Sequence, residues 1–181
     1  MKTIRNGVFE TNSSSMHSFS ISNDTPSITQ FNDLHMKIDA SGEYGWGPGT
    51  VQSPADKLDY AIVAMLEMCT KSIDNDVDPS KDLHKRALGH ELVKEVCEYL
   101  SAIANTFAKH NVIVTWGDNL SEFKTYIYSV MIKHDGYIDH QSGPREDGDC
   151  AKIANWAMKD PESLFNYCFN NSYIELDNDN H

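Results

Sequence analysis

Residues 53–69 read SPADKLDYAIVAMLEMC and form the most strongly patterned segment of the chain. Ser53 followed by Pro54 is a helix start signal, because serine caps open amides and proline suits the first helical position. Apolar residues then recur at intervals of three and four, which places them on one stripe of a helix. These residues are Leu58, Ile62, Met65, Leu66 and Cys69. The segment therefore predicts an amphipathic helix that packs on the core.

A second, longer helix is predicted from Ser80 or Lys81 to about Lys109. Its apolar stripe consists of Leu83, Ala87, Leu88, Leu92, Val96, Leu100, Ile103 and Phe107. A short polar link separates it from the first helix. Two amphipathic helices joined in this way favour a helical hairpin laid on a sheet.

The polar link contains DNDVD at residues 74–78, which has the opening of a calcium-binding loop. The remaining pattern fails, because Pro79 and Lys85 stand where that loop needs glycine and glutamate. We interpret the run as a solvated turn between the helices.

Shorter segments on both sides of these helices predict a sheet. Residues 34–39 alternate apolar and polar side chains, the pattern of a half-buried strand. Further strands are predicted at 3–10, 16–22, 112–115 and 172–176, and a turn followed by a strand at 136–140. Helices are predicted at 121–133, 149–159 and 161–169. A turn is predicted at 11–15, a glycine-rich loop at 41–50 and a short acidic tail at 177–181. We find no internal repeat and no linker. The chain is therefore predicted to be a single α+β domain over residues 1–181, with an antiparallel or mixed sheet and a helical hairpin packed on it.

The charge of the chain restricts its partners. Its 181 residues carry 15 Lys+Arg against 27 Asp+Glu, a formal net charge of −12. Nucleic-acid-binding surfaces concentrate Lys and Arg, because neutralising phosphates releases counterions. Neither direct nucleic-acid binding nor attachment to an anionic membrane is therefore expected. The acidity favours a basic protein partner. The alternative interpretation is that the negative charge only keeps the protein soluble.

The N-terminus and the cysteines indicate a cytoplasmic protein. No apolar run approaches the roughly 20 residues that span a bilayer, and residues 1–15 lack the apolar region of a signal peptide. Four cysteines stand outside any C-x-x-C pattern and are expected to be reduced, buried thiols. We expect no cofactor.

Two clusters suggest catalysis. His17, Asp139 and His140 supply the two imidazoles and one carboxylate of some zinc and iron sites. Such a site would suit a small metal-dependent hydrolase acting on a nucleotide or phosphodiester; hydrogen-bonding histidines are the alternative. The serines at 13–15 beside His17 suggest a nucleophile, but no G-x-S-x-G elbow accompanies them, and a polar hairpin turn explains them better. We predict no catalytic residue and keep the hydrolase as the alternative function.

Residues 5–18, RNGVFETNSSSMHS, resemble the VFETNSSSxHS signature of a family of small proteins encoded by phages and other mobile elements of gut bacteria. Residues 42–47, 137–142 and 172–180 are also similar to that pattern. Genes of this kind often act against host defence. By size, acidity and N-terminus, the chain resembles the type II-A anti-CRISPR proteins, which inhibit Cas9. The resemblance implies an inhibitor in the cytoplasm of a host bacterial cell, and it transfers no catalytic residue.

The resemblance and the charge together suggest a partner, the Cas9–guide RNA complex. Such effectors hold nucleic acid in positively charged channels. An acidic protein can occupy such a channel by DNA mimicry and interfere with DNA engagement or cleavage, with aromatic anchors adding affinity. The candidate anchors are Tyr44, Trp46, Trp116 and Tyr137; the candidate acidic contacts are Asp135, Asp139, Glu146, Asp147, Asp149, Asp177 and Asp179. A self-assembling structural component of a phage is a third hypothesis.

Overall fold

The computed structural model describes residues 15–24, 34–45, 48–70, 83–117, 120, 136–138 and 148–178. In chain order the elements are β1 (Ser15–Ser20), β2 (Leu34–Ile38), β3 (Glu43–Tyr44), β4 (Gly49–Val51), α1 (Pro54–Thr70), α2 (Leu83–Lys109), β5 (Val112–Trp116), β6 (Tyr137–Ile138), α3 (Asp149–Lys159), α4 (Pro161–Phe169) and β7 (Tyr173–Asn178). The predicted strand 3–10, the turn before β1, the acidic run 74–78 and the predicted helix 121–133 lie outside these residues. The predicted α+β class and single domain are confirmed.

Helix α1 lies at the centre of the core. Ser53 caps it as predicted, because its Oγ accepts a hydrogen bond from the Asp56 N–H at 3.1 Å and donates one to the Asp56 carboxylate at 2.6 Å. All five residues of the predicted apolar stripe are buried. Strands β2, β4 and β6 and helices α3 and α4 all contact α1. The helix is therefore covered on more sides than its single apolar stripe predicts.

The other helices agree closely with the predicted bounds. On α2, Val96, Leu100, Ile103 and Phe107 are buried. Helix α3 packs against both α1 and α2, a neighbour that the sequence does not reveal. Asp160 separates α3 from α4, and its carboxylate caps α4 by accepting hydrogen bonds from the N–H and hydroxyl of Ser163 at 3.1 and 2.6 Å.

The described strands form three small sheets. Strand β7 is central in the largest, where β1 and β4 both pair with it in antiparallel fashion. Strand β2 pairs with β5, and β3 with β6, both in parallel. The alternation predicted for β2 is confirmed, since Met36 and Ile38 are buried and His35 and Lys37 are exposed.

Two predicted boundaries are wrong. The predicted loop 41–50 contains β3 and the beginning of β4, and β7 includes the first two residues of the predicted tail 177–181. In each case the backbone is held by hydrogen bonds to a strand far away in sequence. Local composition carries no signal of that pairing.

Candidate functional site

The sheet formed by β1, β7 and β4 has two different faces. The inner face carries Ile174, which is buried, with Phe19 and Val51 beside it in register. Phe19 meets the ring of Tyr60 on α1 edge-on, with 6.0 Å between ring centroids. Because side chains alternate along a strand, the residues at odd-numbered positions of β7 face outward.

The outer face of this sheet carries acidic and small polar side chains together with Tyr173 at the beginning of β7. Glu175 and Asp177 are both exposed and stand on the central strand. Ser18 on β1 and Thr50 on β4 flank Glu175 in register. None of the residues 15–20, 49–51 and 173–178 is Lys or Arg. We call Ser18, Thr50, Glu175 and Asp177 the acidic sheet face.

A buried lysine fixes the beginning of the central strand. Lys57 on α1 is 1% exposed, and its Nζ donates hydrogen bonds to the carbonyls of Asn170 and Ser172 at 2.9 and 3.0 Å. The same Nζ lies 5.5 Å from the ring centroid of Tyr167. Burial lowers the pKa of Lys57 to about 8, because desolvation disfavours the charged ammonium. Lys57 therefore ties the turn between α4 and β7 to the core helix.

His17 lies on the inner face of the sheet, where it contacts a buried tyrosine. Its Nδ1 is 3.1 Å from the hydroxyl of Tyr60. That hydroxyl also hydrogen-bonds to the thiol of Cys150, and burial raises the pKa of Tyr60 well above its usual value. Tyr60 therefore keeps its proton at neutral pH. The contact gives His17 a packing role on the inner face. The side chains of the serines at 13–15, which the nucleophile hypothesis needs, lie outside the described residues.

Most residues of the predicted metal site lie outside the residues that the structure describes. Of His17, Asp139 and His140, only His17 is described. Within the described ranges, no three side chains of His, Cys, Asp or Glu lie close enough to hold a metal ion. The metal-site prediction stays a prediction.

The cysteine prediction is largely confirmed. All four cysteines are free thiols; Cys69, Cys150 and Cys168 are buried, and Cys97 is partly buried. Burial raises the pKa of Cys69 to about 11 and that of Cys168 to about 12, so both thiols remain protonated.

Tyr44, one of the candidate anchors in the predicted loop 41–50, lies in the core. Tyr44 is 8% exposed and lies in β3. Its hydroxyl donates a hydrogen bond to the Asp59 carboxylate at 3.0 Å, and its ring lies 4.8 Å from that of Tyr60. Asp59 also accepts hydrogen bonds from the N–H groups of Ala40 and Gly42 at 2.8 and 3.1 Å. Tyr44 therefore belongs to the core, in a cluster that fixes the turn after β2.

The remaining predicted contacts are spread over the chain. Trp116 is partly exposed at the end of β5, Asp149 is partly exposed in the first turn of α3, and Asp177 is exposed on β7. Tyr137 begins β6, and its side chain is outside the description. Trp46, Asp135, Asp139, Glu146, Asp147 and Asp179 are also outside it. Asp177 shares the outward face of β7 with Glu175, which is not among the predicted contacts. The alternation of side chains along residues 173–177 is a sequence signal that could have identified Glu175.

Comparison of the chain with protein-family models, curated proteins and solved structures finds no match. Across the described part of the chain, no helix is both long and apolar enough to cross a membrane.

Proposed function

We propose that the protein is a non-catalytic inhibitor that binds a cationic, nucleic-acid-handling effector through its acidic sheet face. One observation carries the proposal. Glu175 and Asp177 are exposed at alternate positions of a central strand whose sheet contains neither Lys nor Arg. The net charge of −12 also attracts a cationic partner over longer distances.

The geometry of this face suits a groove lined with basic side chains. Alternate residues of a strand are about 7 Å apart, so Glu175 and Asp177 can contact neighbouring Arg or Lys side chains of one groove. Ser18 and Thr50 are small, which lets long cationic side chains approach the carboxylates. Complementary charge accelerates association and sets the orientation of the complex.

The proposed partner is a Cas9-type effector loaded with its guide RNA, in the cytoplasm of a bacterial host. Support for this partner comes from the N-terminal resemblance and from the chemistry of the effector. Such effectors hold nucleic acid in a positively charged channel and read the PAM with arginines. Carboxylates that occupy either region would imitate phosphates and block DNA engagement or cleavage.

The test is a measurement of affinity for the Cas9–guide RNA complex by biolayer interferometry. The double variant Glu175→Lys/Asp177→Lys reverses the charge of the acidic sheet face. The matched control, Glu43→Lys/Glu91→Lys, changes the net charge equally at exposed positions on β3 and α2. We expect the first variant to bind at least about tenfold more weakly and the control to stay within about threefold of the unmodified protein. Affinity should also fall as salt rises.

Three results would contradict the proposal. Failure of the unmodified protein to bind would exclude this partner. Equal losses in the two double variants would show that net charge acts without a defined face. An affinity that does not change with salt would remove the electrostatic basis.

The hydrolase alternative has its own test. Metal analysis of the purified chain and the His140→Ala variant address it. His17→Ala is a poor probe, because it also removes the contact with Tyr60. Stoichiometric metal that is lost in His140→Ala would favour the hydrolase over the inhibitor.

A further inference from the structure

We propose that a cavity between the segment after β1 and helices α3 and α4 binds the carboxylate or phosphate group of a small molecule. The cavity has a volume of about 380 Å³. Its walls include Asn23, Asp24, Lys152, Trp156, Asn166 and Tyr167. None of these residues belongs to the acidic sheet face, so this site does not depend on the proposed function.

The walls of the cavity are fixed by hydrogen bonds between distant parts of the chain. The Ser22 N–H donates to Ser172 Oγ at 2.9 Å, and the Asn170 side-chain amide donates to the Ser22 carbonyl at 2.9 Å. Asn171 donates to the Asp24 carboxylate at 3.2 Å. The segment after β1 is thereby attached to the turn between α4 and β7. Because the cavity walls are already ordered, binding does not require the entropy cost of ordering them.

The walls of the cavity include several N–H donors that no described residue uses. The Lys152 ammonium lies 5.1 Å from the centroid of the Trp156 ring, and no carboxylate of the described residues is within ion-pair distance of it. The amides of Asn23 and Asn166 make no side-chain hydrogen bond within the described ranges. Several free donors around one cavity favour a ligand group that is rich in acceptor oxygens.

Asp24 also lines the cavity, and its negative charge restricts where an anion can bind. Its carboxylate already accepts a hydrogen bond from Asn171, and hydrogen bonds from Ser22 and Asn171 lower its pKa, so it stays ionised. Like charges repel, which excludes the anionic group from this end. The anion is therefore expected on the side of α3 and α4, next to Lys152 and Asn166.

The test is an NMR titration of the full chain at pH 7 with sodium phosphate, and separately with sodium acetate, at constant ionic strength. The readouts are the Trp156 indole N–H and the backbone amides of Lys152 and Asn166, on the side where the anion is expected. We expect a saturable shift with at least one of the two anions. Saturation by phosphate alone would assign a phosphate group, and saturation by acetate alone a carboxylate.

Two variants make the test specific. Lys152→Gln removes the cation from the wall, and we expect it to weaken binding about tenfold, the ratio for one charge-assisted hydrogen bond. Lys159→Gln is the matched control, since it removes the same charge from an exposed position of the same helix; its affinity should stay within about twofold. Shifts that never saturate, or equal losses in the two variants, would overturn the proposal.

Discussion

Replacement of Lys57 by methionine tests whether a charge is really buried under the central strand. The pKa of Lys57 in the folded protein is about 8, against 10.5 for an ordinary lysine. Between these two values the unfolded chain holds a proton that the folded chain has released. The contribution of Lys57 to the free energy of unfolding therefore rises with pH across this window. Below pH 8 the folded protein has to bury the charged form, which is the less favourable one.

The magnitude follows from the size of the shift. A difference of one proton changes the free energy of unfolding by about 1.4 kcal/mol per pH unit, so the full window corresponds to about 3 kcal/mol. Methionine fills a similar volume and does not titrate. Lys57 lowers the pKa of Cys168, but that pKa is about 12, so the folded Cys168 thiol keeps its proton up to pH 10 with or without Lys57. The difference between the two proteins over this range therefore isolates Lys57.

The assay is urea unfolding of the unmodified protein and of Lys57→Met at pH 7, 8, 9 and 10. We expect the stability of the unmodified protein relative to the variant to stay level up to about pH 8 and then to increase by about 2 kcal/mol by pH 10. At pH 7 the variant also leaves the carbonyls of Asn170 and Ser172 without their donor. That loss is a constant offset and does not change the slope. A difference that is the same at every pH would refute the reasoning.

Two further substitutions probe the contacts that position the core. Tyr44→Phe removes only the hydroxyl that donates to Asp59. We expect this variant to lower the free energy of unfolding by about 1–3 kcal/mol and to leave the affinity for the effector unchanged. A large loss of affinity in a variant of normal stability would show that Tyr44 contacts the partner. Asp160→Ala removes the cap of α4, and we expect a loss of about 1 kcal/mol in thermal unfolding. Ser163→Ala keeps the backbone N–H that donates to the Asp160 carboxylate and should therefore lose less stability. An Asp160→Ala variant as stable as the unmodified protein would show that the cap contributes nothing.

The helices were predictable because their signals are local. Ser53 and Pro54 mark the beginning of α1, and the apolar spacing that follows requires only neighbouring residues. The same holds for β2, where Met36 and Ile38 alternate with His35 and Lys37. The strands β3 and β4 have two and three residues, too few for a pattern, and they form only because β6 and β7 pair with them.

The site was only partly predictable, because burial of a polar side chain depends on partners far along the chain. Lys57 is bound by carbonyls 113 and 115 residues away, and lysine is ordinarily an exposed residue. Tyr44 was chosen as a candidate anchor because it lies in a glycine-rich segment, and its contacts with Asp59 and Tyr60 in the core leave no local signal in the sequence. The acidity near Asp177 was visible in the composition, and alternation along residues 173–177 could have added Glu175, but the flanking Ser18 and Thr50 required the strand register.

The pairing of β1 and β4 with β7 has a consequence for synthesis on the ribosome. Both strands are translated long before residues 173–178, the one described segment that satisfies their backbone hydrogen bonds. At ordinary elongation rates, β1 waits roughly ten to thirty seconds for its partner in the nascent chain. Late closure of this kind slows folding, since distant segments must meet before any contact offsets the entropy lost. Glu175 and Asp177 lie on β7, so the acidic sheet face forms only when this strand pairs with β1 and β4.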